Sequence, residues 1–571
     1  MKKKIIPVLI VFALILLIAA GILISTLIKK YTPTKERADL NEHFNITSDS
    51  EVAILLNNEQ SEVYAALING HIYLDYQFVH DNLNARFYWD ENENILFYTT
   101  STDLISANAE ESSYSVTKSS VDYGRPVVKA TADSALIDID FVNQYSDFTY
   151  TYYENPSRVL ITNNWGEICT ATIKKNTPMR VLGGIKSPIL ADLTKNTTVY
   201  LIDQYEKWAK ITTEDGITGY VPSKTISNIS TETLTSDFVP DTFTHIKKDF
   251  EICMGWHQVT SANANDNIAE ILADTKGINV ISPTWFYLND NAGNLSNLAS
   301  TDYVSYCHQH NIEVWPTVNN LENKEADSTY VLTHSSTRHN LVNQIVSMAI
   351  QYNLDGINLD FEALDGAKVQ DAYIQFVREL SLKCANNGIV LSIDNYVPTA
   401  YTAFYNREEQ ANFADYVVIM GYDEHYAGSE VGSVASIDWV TQGVENTLKE
   451  VPAEQVILGM PFYTRIWCST PNNDDSDTEI IYDITSSACS MSYANKVVES
   501  NNAEKQWIDS CGQYYAKYEV DDSIYEVWLE DTASAEQRLK LLDTYSLAGA
   551  SFWKLGLESD EIWDTIIKYI N

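Results

Sequence analysis

The chain has 571 residues, enough for three or four domains of ~150 residues each. Its 78 Asp and Glu outnumber 38 Lys and Arg and give a net charge of −40, which excludes a nucleic-acid partner because phosphate binding needs a basic surface. The 45% hydrophobic and 11% aromatic residues exclude a wholly disordered chain. Seven Cys, none in a CxxC pair, exclude a disulfide scaffold and offer no zinc spacing.

An uncharged stretch near the amino terminus predicts a membrane anchor. Residues 5–28 carry no charge, and a helix of that length measures ~36 Å against a hydrocarbon core of ~30 Å. A cleaved signal peptide usually has an apolar core of only ~7–15 residues, although Ala19-Ala20-Gly21 is similar to a cleavage site. Lys residues flank both ends, so the charge bias does not fix the orientation. We therefore expect residues 1–30 to be a cytoplasmic stub and a single-pass anchor.

Two polar stretches, residues 31–48 and 229–244, are predicted to be linkers. Between them, residues 49–165 contain a weak repeat with an offset of 63 residues. LDYQFV (74–79) aligns with IDIDFV (137–142), and ARFYWDENENILFYTT (85–100) aligns with FTYTYYENPSRVLITN (148–163). Each unit is predicted to hold a helical patch and two strands joined by a turn. The repeat resembles one found at the start of some copper amine oxidases, without copper ligands, and is predicted to be an α+β spacer.

Residues 166–228 are rich in short strand signals. The run Trp208-Ala-Lys-Ile211, the hairpin turn Asp215-Gly216 and the run Gly219-Tyr-Val-Pro222 resemble the centre of bacterial SH3-like domains. Members of that family often bind cell-wall glycan or peptide. The pattern describes a small β-barrel and not a pocket, so a wall-binding module and a packing module both stay open.

From residue 245 to residue 571, hydrophobic runs alternate with amphipathic segments. The candidate strands are EICMGWHQV (251–259), INVISPTWF (278–286), IEVWPTV (312–318), GINLDFE (356–362), IVLSIDNY (389–396), YVVIMGYD (416–423), VILGMPF (456–462) and GASFWKL (549–555). Helical periodicity marks residues 339–353 and 370–388. Eight β–α units predict an α/β fold, a (β/α)8 TIM barrel, in which chemistry takes place at the carboxyl ends of the strands.

A row of polar residues ends the fourth predicted strand. Asn358, Asp360 and Glu362 share one face, because side chains alternate along a strand, and we expect that face to point into the barrel. Two carboxylates two residues apart lie ~6–7 Å from each other along a strand. Burying two anions together raises the pKa of one of them, and a glycosidase needs such a protonated carboxylic acid. A salt-bridged barrel interior is the alternative, but no Lys or Arg accompanies this strand.

Asp355-Gly-Ile-Asn-Leu-Asp-Phe-Glu362 closely resembles the DGxDxDxE motif of glycoside hydrolase family 18, the chitinase-like family. Met420-Gly-Tyr-Asp423, Tyr525-Glu-Val-Trp-Leu-Glu-Asp531 and the GASFWKLGLE run at 549–558 are similar to further motifs of that family. Two features depart from it. Asn358 stands where many members have Asp, and the third strand, VWPTVNN, lacks the usual SxGG. The third strand and the SH3-like module look more like the spore and cell-envelope subgroup, which acts on peptidoglycan.

The resemblance implies a substrate-assisted retaining mechanism that needs no metal and no organic cofactor. Glu362 would protonate the leaving oxygen, the sugar's 2-acetamido group would act as the nucleophile, and Asp360 and Tyr422 would hold that group. The remaining residues are expected to bind substrate, with Trp553 as the floor of the −1 sugar site: Asn358, Asp423, Trp553, Trp528, Trp256 and Trp285. The last two Trp could equally pack the barrel. His257 and His425 are expected to be structural.

Three functions stay open at this point. The first is an N-acetylglucosaminidase or chitinase-type enzyme, anchored in the cell membrane with its catalytic part outside, that cleaves β-1,4 linkages at N-acetylglucosamine in peptidoglycan or chitin-like glycans. The second is a weak or inactive lectin-like barrel, against which the presence of Glu362 argues. The third is a chitinase or endo-N-acetylglucosaminidase that acts on foreign glycans.

Overall fold

The computed structural model describes residues 2–472 and 481–570. The chain forms two compact units that are interleaved in sequence. Unit 1 consists of Met1–Phe87, Ala107–Tyr114 and Asp122–Pro240, and unit 2 consists of Tyr88–Ser106, Ser115–Val121 and Asp241–Asn571. Unit 2 therefore contains part of the predicted spacer in addition to the predicted catalytic region.

The predicted apolar helix is present at the amino terminus. The helix α1 spans Lys2–Tyr31, and its segment Ile5–Tyr31 is long and apolar enough to cross a membrane. Its apolar side chains are exposed, as expected of a helix whose partners are not protein side chains.

The elements that follow α1 up to residue 162 are short. The helices are α2 (Leu40–His43), α3 (Tyr76–Asn82) and α4 (Ile139–Gln144). The strands are β1 (Glu51–Leu56), β2 (Glu59–Ile68), β3 (His71–Asp75), β4 (Tyr88–Asp90), β5 (Ile95–Thr99), β6 (Leu104–Asn108), β7 (Ser113–Val116), β8 (Ser119–Asp122), β9 (Val128–Ala130), β10 (Ala135–Asp138), β11 (Thr149–Glu154) and β12 (Ser157–Thr162). One sheet has the order β11-β12-β1-β2-β3-β10-β9, and another has the order β4-β5-β6-β7-β8.

The two halves of the predicted repeat have the same local structure. In each, a strand runs into a short helix, β3 into α3 and β10 into α4, and the carboxylates of Asp75 and Asp138 accept hydrogen bonds from the first helical N–H groups. An antiparallel hairpin follows in each half, β4–β5 in the first and β11–β12 in the second. The strands β3 and β10 pair with each other, with Leu74 opposite Ile137.

A second seven-stranded sheet follows, with the order β15-β14-β18-β17-β16-β13-β19. Its strands are β13 (Gly166–Ile173), β14 (Thr177–Arg180), β15 (Ile189–Leu193), β16 (Thr198–Gln204), β17 (Trp208–Thr212), β18 (Thr218–Pro222) and β19 (Ile226–Leu234). Met179, Ala209, Ile211 and Val221 are buried in its core. Because β19 pairs with β13 as far as Leu234, the second predicted linker is partly strand and begins later than expected.

The largest sheet lies in unit 2 and contains all eight strands predicted for the barrel. These are β20 (Ile252–His257), β21 (Val280–Pro283) with β22 (Phe286–Leu288), β24 (Glu313–Val314) with β25 (Thr317–Asn319), β26 (Gly356–Asp360), β27 (Val390–Tyr396), β28 (Tyr416–Met420), β29 (Val456–Pro461) and β35 (Gly549–Trp553), with β23 (Leu295–Asn297) at one edge. The order is β23-β22-β25-β26-β27-β28-β29-β35-β20-β21-β24, and all neighbours except β22–β23 are parallel. Unit 2 thus has an α/β fold as predicted. The described strands do not form the closed ring of a TIM barrel, because the second and third strands are each broken in two.

Helices and 3₁₀ turns connect these strands. The helices are α5 (Ile268–Ile271), α6 (Thr301–Gln309), α7 (Ser328–Thr333), α8 (Ser335–Tyr352), α9 (Gly366–Asn386), α10 (Arg407–Phe413), α11 (Ile437–Thr447), α12 (Met491–Ser500), α13 (Thr532–Tyr545) and α14 (Ile562–Ile566). Among them, α8 and α9 confirm the two helices predicted from periodicity. The sheet separates two cores, a small inner one around Trp256, Trp315 and Tyr416, and a large outer one against the helices.

A further sheet between β29 and β35 was not predicted. It has the order β31-β30-β34-β33-β32 and consists of β30 (Tyr463–Asn472), β31 (Ile481–Ser490), β32 (Lys505–Ile508), β33 (Gln513–Val520) and β34 (Ser523–Leu529). The YEVWLED motif lies on β34, and its last residue, Asp531, is the N-cap of α13.

Candidate active site

The strand β26 separates polar from apolar side chains as predicted. Ile357, Leu359 and Phe361 are buried in the outer core, so Asn358 and Asp360 point to the opposite side of the sheet. The first residue of the strand is Gly356. A larger residue would not fit there, because its Cβ atom would lie 2.7 Å from the Trp315 ring. The neighbouring strands are parallel, so their carboxyl ends bring polar residues to the same end of the sheet.

Asp360 and Glu362 form an acidic pair at that end. Burial raises the pKa of Asp360 well above its usual range, and the charges of Glu362 and Asp394 raise it further. Burial also raises the pKa of Glu362, and Asp423 adds to this effect, while a hydrogen bond from Tyr396 opposes it. The Oδ1 atom of Asp360 is buried and accepts no hydrogen bond from the described residues. The pair therefore offers carboxyl groups whose protonated forms are favoured by burial, and a buried oxygen atom that can accept a hydrogen bond from a ligand.

The segment that carries Glu362 is held by Asn320, which follows β25. The Asn320 Oδ1 atom accepts the backbone N–H groups of Glu362 and Ala363 at 3.0 and 3.2 Å. The Asn320 amide in turn donates to the Ala363 carbonyl at 2.9 Å. These three hydrogen bonds fix the turn after β26 and with it the direction of the Glu362 side chain. The VWPTVNN run thus has a structural role at the site that the motif comparison did not reveal.

Asn358 lies in the interior and not on a surface open to substrate. Its side chain is fully buried, and all its hydrogen-bonding groups have protein partners. The Oδ1 atom accepts from Trp256 Nε1 at 2.9 Å and from Ser282 Oγ at 3.2 Å. The Nδ2 group donates to Ser392 Oγ at 3.0 Å and to Asp394 Oδ1 at 2.7 Å. The residue connects four strands below the acidic pair, and the structure gives it no free group for a sugar.

Two residues that sequence reasoning overlooked, Asp394 and Tyr396, come from β27. Asp394 is only 4% exposed, and burial and the charge of Glu362 raise its pKa well above the usual range, although the Asn358 hydrogen bond lowers it. Tyr396 is 39% exposed and donates a hydrogen bond to the Glu362 carboxyl group. Asp394 and Tyr396 lie at alternate positions of the IVLSIDNY run, and this alternation could have predicted that their side chains point into the sheet's inner side.

Aromatic residues line the other side of the acidic pair. Tyr422 is half-buried, and burial and the charges of Asp394, Glu362 and Asp360 raise its pKa well above the usual range. The Trp256 ring meets those of Tyr422 and Trp553 edge-on, at centroid distances of 6.4 and 5.9 Å. Trp553 is half-buried and can offer a ring face, whereas Trp256 is 1% exposed and packs the inner core.

The remaining predicted residues are less central. Asp423 is exposed, follows Tyr422 with a φ of 59°, and accepts a hydrogen bond from Tyr463. Trp528 is half-buried on β34, where its ring lies 4.9 Å from that of Tyr515. Trp285 is fully buried in the outer core and donates to Asn265 at 2.8 Å, so it is not available to a sugar.

The two His behave as expected of structural residues. His257 is 3% exposed, hydrogen-bonds Tyr303 at 2.9 Å, and has a pKa lowered to about 4 by burial and by Lys554. The Nδ1 atom of His425 is hydrogen-bonded to the Ser433 carbonyl at 2.8 Å.

Comparison with known proteins is consistent with this site. Residues 216–558 match Glycosyl hydrolases family 18. The glycosylase YvbX of Bacillus subtilis is 25% identical over 304 residues, which cover 51% of this chain and 84% of the relative. The cortical fragment-lytic enzyme of the same organism is 26% identical over 273 residues, which cover 46% of this chain but only 61% of that enzyme. The structure of the Bacillus cereus spore cortex-lytic enzyme has 18% identity and a TM-score of 0.50 over 60% of this chain and 78% of that one, which shows a shared fold. The match covers more than half of the chain, including both members of the acidic pair, and the chain is therefore an enzyme of glycosyl hydrolases family 18.

Proposed function

We propose that the chain hydrolyses β-1,4 linkages at N-acetylglucosamine in cell-wall peptidoglycan or a chitin-like glycan, as a membrane-anchored enzyme. The observation that carries the proposal is the acidic pair Asp360 and Glu362, whose pKa values are both raised and whose surroundings provide half-buried aromatic rings. A raised pKa favours the protonated form of a carboxyl group, which is the form that a general acid for the glycosidic oxygen requires.

The proposed mechanism is substrate-assisted and retaining. Glu362 donates its proton to the leaving oxygen while the carbonyl oxygen of the sugar's 2-acetamido group attacks the anomeric carbon. The positive charge of the cyclised sugar lies next to Asp360, whose carboxylate stabilises it and whose unpartnered Oδ1 atom accepts the acetamido N–H. Tyr422 donates to the same group, and Trp553 stacks below the sugar ring. Glu362 then takes a proton from a water molecule, and the resulting hydroxide attacks the anomeric carbon. This attack opens the oxazolinium ring and gives a product with the original anomeric configuration.

Peptidoglycan is the favoured substrate class. Two of the similar proteins are named for lysis of cortex or its fragments, and the sequence of β13–β19 resembles wall-binding modules. The apolar helix α1 would hold the enzyme beside the wall with its catalytic part outside. Binding of wall material by β13–β19 is part of the proposal.

We also infer that the large sheet closes into an eight-stranded barrel. The segments β21 and β22 are separated by two residues, as are β24 and β25, and each pairs with its counterpart in the same parallel direction. A short bend in the second strand and another in the third would explain why β21 pairs with β24 and β22 pairs with β25 within one closed barrel.

The test is to digest purified peptidoglycan, chitin oligomers, N-glycans and glucose polymers side by side, and to identify the products by mass spectrometry. We expect cleavage only after N-acetylglucosamine. The Glu362→Gln variant should lose turnover and keep glycan binding, because shape survives and only the proton donor is removed. The exposed Glu322→Gln is the matched control. Efficient cleavage of plain glucose polymers would refute the mechanism, and binding without any cleavage by the unmodified protein would indicate a lectin.

A further inference from the structure

The mechanism above leaves one buried acid, Asp394, without a role. The registers of β26 and β27 place Asn358 beside Ser392 and Leu359 beside Ile393, and one further step brings Asp360 beside Asp394. Neighbouring strands lie ~4.8 Å apart, so two side chains that point to the same side at this step are close neighbours. Asp394 is thus adjacent to the carboxyl group that must face the positive charge of the sugar.

The orientation of the Asn358 amide follows from its partners. The indole N–H of Trp256 is a donor only, so the atom of Asn358 that faces it at 2.9 Å must be the carbonyl oxygen. The amide N–H₂ group therefore faces Asp394, and the Asp394 Oδ1 atom must accept from it at 2.7 Å. The hydrogen bond from Asn358 stabilises a negative charge on Asp394, whereas none of the described residues donates to Asp360 Oδ1.

The surroundings of Asp394 are acidic or neutral. Asp394 interacts electrostatically with Asp360 and Glu362 at the end of β26, with Tyr422 after β28, and with Tyr373 on α9. Among the residues that the structure describes, no Lys, Arg or His forms an ion pair with Asp394 or Asp360. Two neighbouring buried carboxyl groups without a cation cannot both be ionised at low cost.

We propose that Asp394 is a positioning residue that shares one proton with Asp360, so that the two carboxyl groups carry a single negative charge between them. The inference rests on the proposed function. In the resting site the proton lies on Asp360 and the charge on Asp394, which the Asn358 amide stabilises. When the sugar cyclises, the O–H bond on Asp360 breaks, an O–H bond on Asp394 forms, and the negative charge moves to Asp360 beside the cyclised sugar.

The pKa directions agree with this arrangement. Burial raises the pKa of both groups, the charge of Asp394 raises that of Asp360, and the Asn358 hydrogen bond lowers that of Asp394. A pair of this kind titrates in two steps that belong to the pair and not to either residue. Sharing the remaining proton makes the first ionisation easier than it would be for either buried group alone, so the singly charged, active form is reached at a lower pH than with one carboxyl group.

The first test is the pH profile of kcat/KM for Asp394→Asn, with the full chain and the best glycan found for the unmodified enzyme. The amide oxygen of the variant can still accept from Asn358, so the fold is kept. Asp360 must then ionise alone, and its pKa exceeds that of the first step of the pair. We expect the acid limb to move to higher pH by about one unit, which is about a tenfold loss on the acid side, with little change in the basic limb.

The second variant exchanges the two side chains. In Asn358→Asp/Asp394→Asn the new carboxylate still accepts from Trp256 and Ser282 and now accepts from the new amide at position 394. Charge and hydrogen bonds are both conserved, so the acid limb should return toward its original pH. Ser392→Ala is the matched control, because it removes a neutral partner of the same Asn358 amide. It should leave the acid limb in place.

Three results for Asp394→Asn are distinguishable. A shift of the acid limb to higher pH that the exchange reverses supports the shared proton. A shift to lower pH would make Asp394 only a repelling charge and would overturn the inference. An unchanged limb, or a shift that Ser392→Ala reproduces, would mean a structural role and would overturn it as well.

A readout that needs no activity separates this inference from the proposed function. A buried carboxyl group whose pKa is raised in the folded state makes stability fall as pH rises between its unfolded and folded pKa values. Asp394→Asn removes one such group, so its Tm should fall less steeply than that of the unmodified protein as pH rises above about 4, the pKa of Asp in the unfolded chain. Parallel Tm curves would refute the shared proton. Failure of the unmodified protein to cleave any N-acetylglucosamine glycan would instead refute the proposed function.

Discussion

Asp360 is the residue on which the proposed chemistry depends most, because its Oδ1 atom is buried without a hydrogen-bond partner among the described residues. An unsatisfied buried oxygen costs free energy unless a ligand supplies the donor. We expect Asp360→Asn to reduce kcat by ~10²-fold or more, because an amide cannot supply the negative charge that stabilises the cyclised sugar. Steady-state kinetics on an N-acetylglucosamine oligomer measure this.

A thiazoline analogue of the cyclised sugar provides the control for that variant. Analogues of high-energy intermediates bind more tightly than substrates, so the analogue should inhibit the unmodified enzyme. Its affinity should fall in Asp360→Asn by about the same factor as kcat/KM. Retention of full affinity together with a loss of turnover would argue that Asp360 acts on another step.

The hydrogen bond from Tyr396 to Glu362 leads to a prediction for the pH dependence of kcat/KM. The Tyr396 hydroxyl group donates to Glu362 and lowers a pKa that burial raises. Tyr396→Phe removes the donor, so the pKa of Glu362 should rise and the acid should stay protonated to higher pH. The basic limb of kcat/KM should therefore move upward, by less than about one unit for a single hydrogen bond. Tyr401→Phe, at a residue that is 90% exposed, is the control and should not move the limb.

At the scale of elements, the hairpin β4–β5 is built into unit 2. The Arg338 side chain on α8 is fully buried, and its guanidinium lies 5.0 Å from the Tyr88 ring centre and 5.3 Å from that of Phe97. It also pairs with the buried Glu379 on α9 at 3.1 Å. The Asp90 carboxylate accepts the backbone N–H of Ser335 at 2.6 Å, at the positive end of α8. The hairpin thus covers a buried ion pair and caps a helix.

That ion pair predicts the strongest single-residue effect on stability. Burial alone would raise the pKa of Glu379, but Arg338 and His339 hold it at about 2. Glu379→Gln leaves the Arg338 charge uncompensated and should cost ~3–5 kcal/mol of unfolding free energy. The exposed Glu408→Gln should stay within about 0.5 kcal/mol. Chemical denaturation measures both, and equal stability of the two variants would contradict the contribution of the pair.

The same pair gives a pH dependence. The folded pKa of Glu379 is depressed, so its contribution is present above the unfolded pKa and is lost as pH falls toward about 2. The difference in Tm between the unmodified protein and Glu379→Gln should accordingly shrink below about pH 4.

The elements also show what a sequence can predict. All eight strands of the large sheet were identified, because a buried parallel strand is a continuous apolar run between helical segments. The sheet of β30–β34 was not, since its half-buried strands lack such runs. Asp394 was overlooked because its role depends on its position beside a residue of the neighbouring strand, and no motif in its own strand marks it. Asn358 was expected to bind substrate, and Trp285 was left open between the sugar and the core, because periodicity alone cannot tell an inward residue beneath the site from one at its surface.

At the scale of the whole molecule, the boundary of the catalytic unit was the main surprise. Composition placed a linker ahead of residue 245, and that break exists, since Asp241 begins the last segment of unit 2. Composition could not show that Tyr88–Ser106 belongs to the same unit, because the contacts join residues more than 200 positions apart, as between Ser335 and Asp90. A chain that looks like successive modules is therefore interleaved.

This interleaving leads to opposite expectations for two truncations. A protein that begins at residue 31 loses only the apolar helix and should be soluble, with the Tm and kcat/KM of the full chain in detergent. A protein that begins at residue 241 also loses the hairpin. It exposes the ring-binding face of Arg338 and leaves the first N–H groups of α8 without their acidic partners.

The shorter protein should aggregate or melt at a clearly lower temperature, because burial of each large aromatic side chain contributes ~1.5–3 kcal/mol and Tyr88 and Phe97 are both removed. Tyr88→Ala and Phe97→Ala in the protein that begins at residue 31 should shift its Tm in the same direction, and they thus separate loss of the hairpin contacts from loss of unit 1. If the protein from residue 241 matches the longer one in Tm and activity, the hairpin is dispensable and the catalytic region is a module after all.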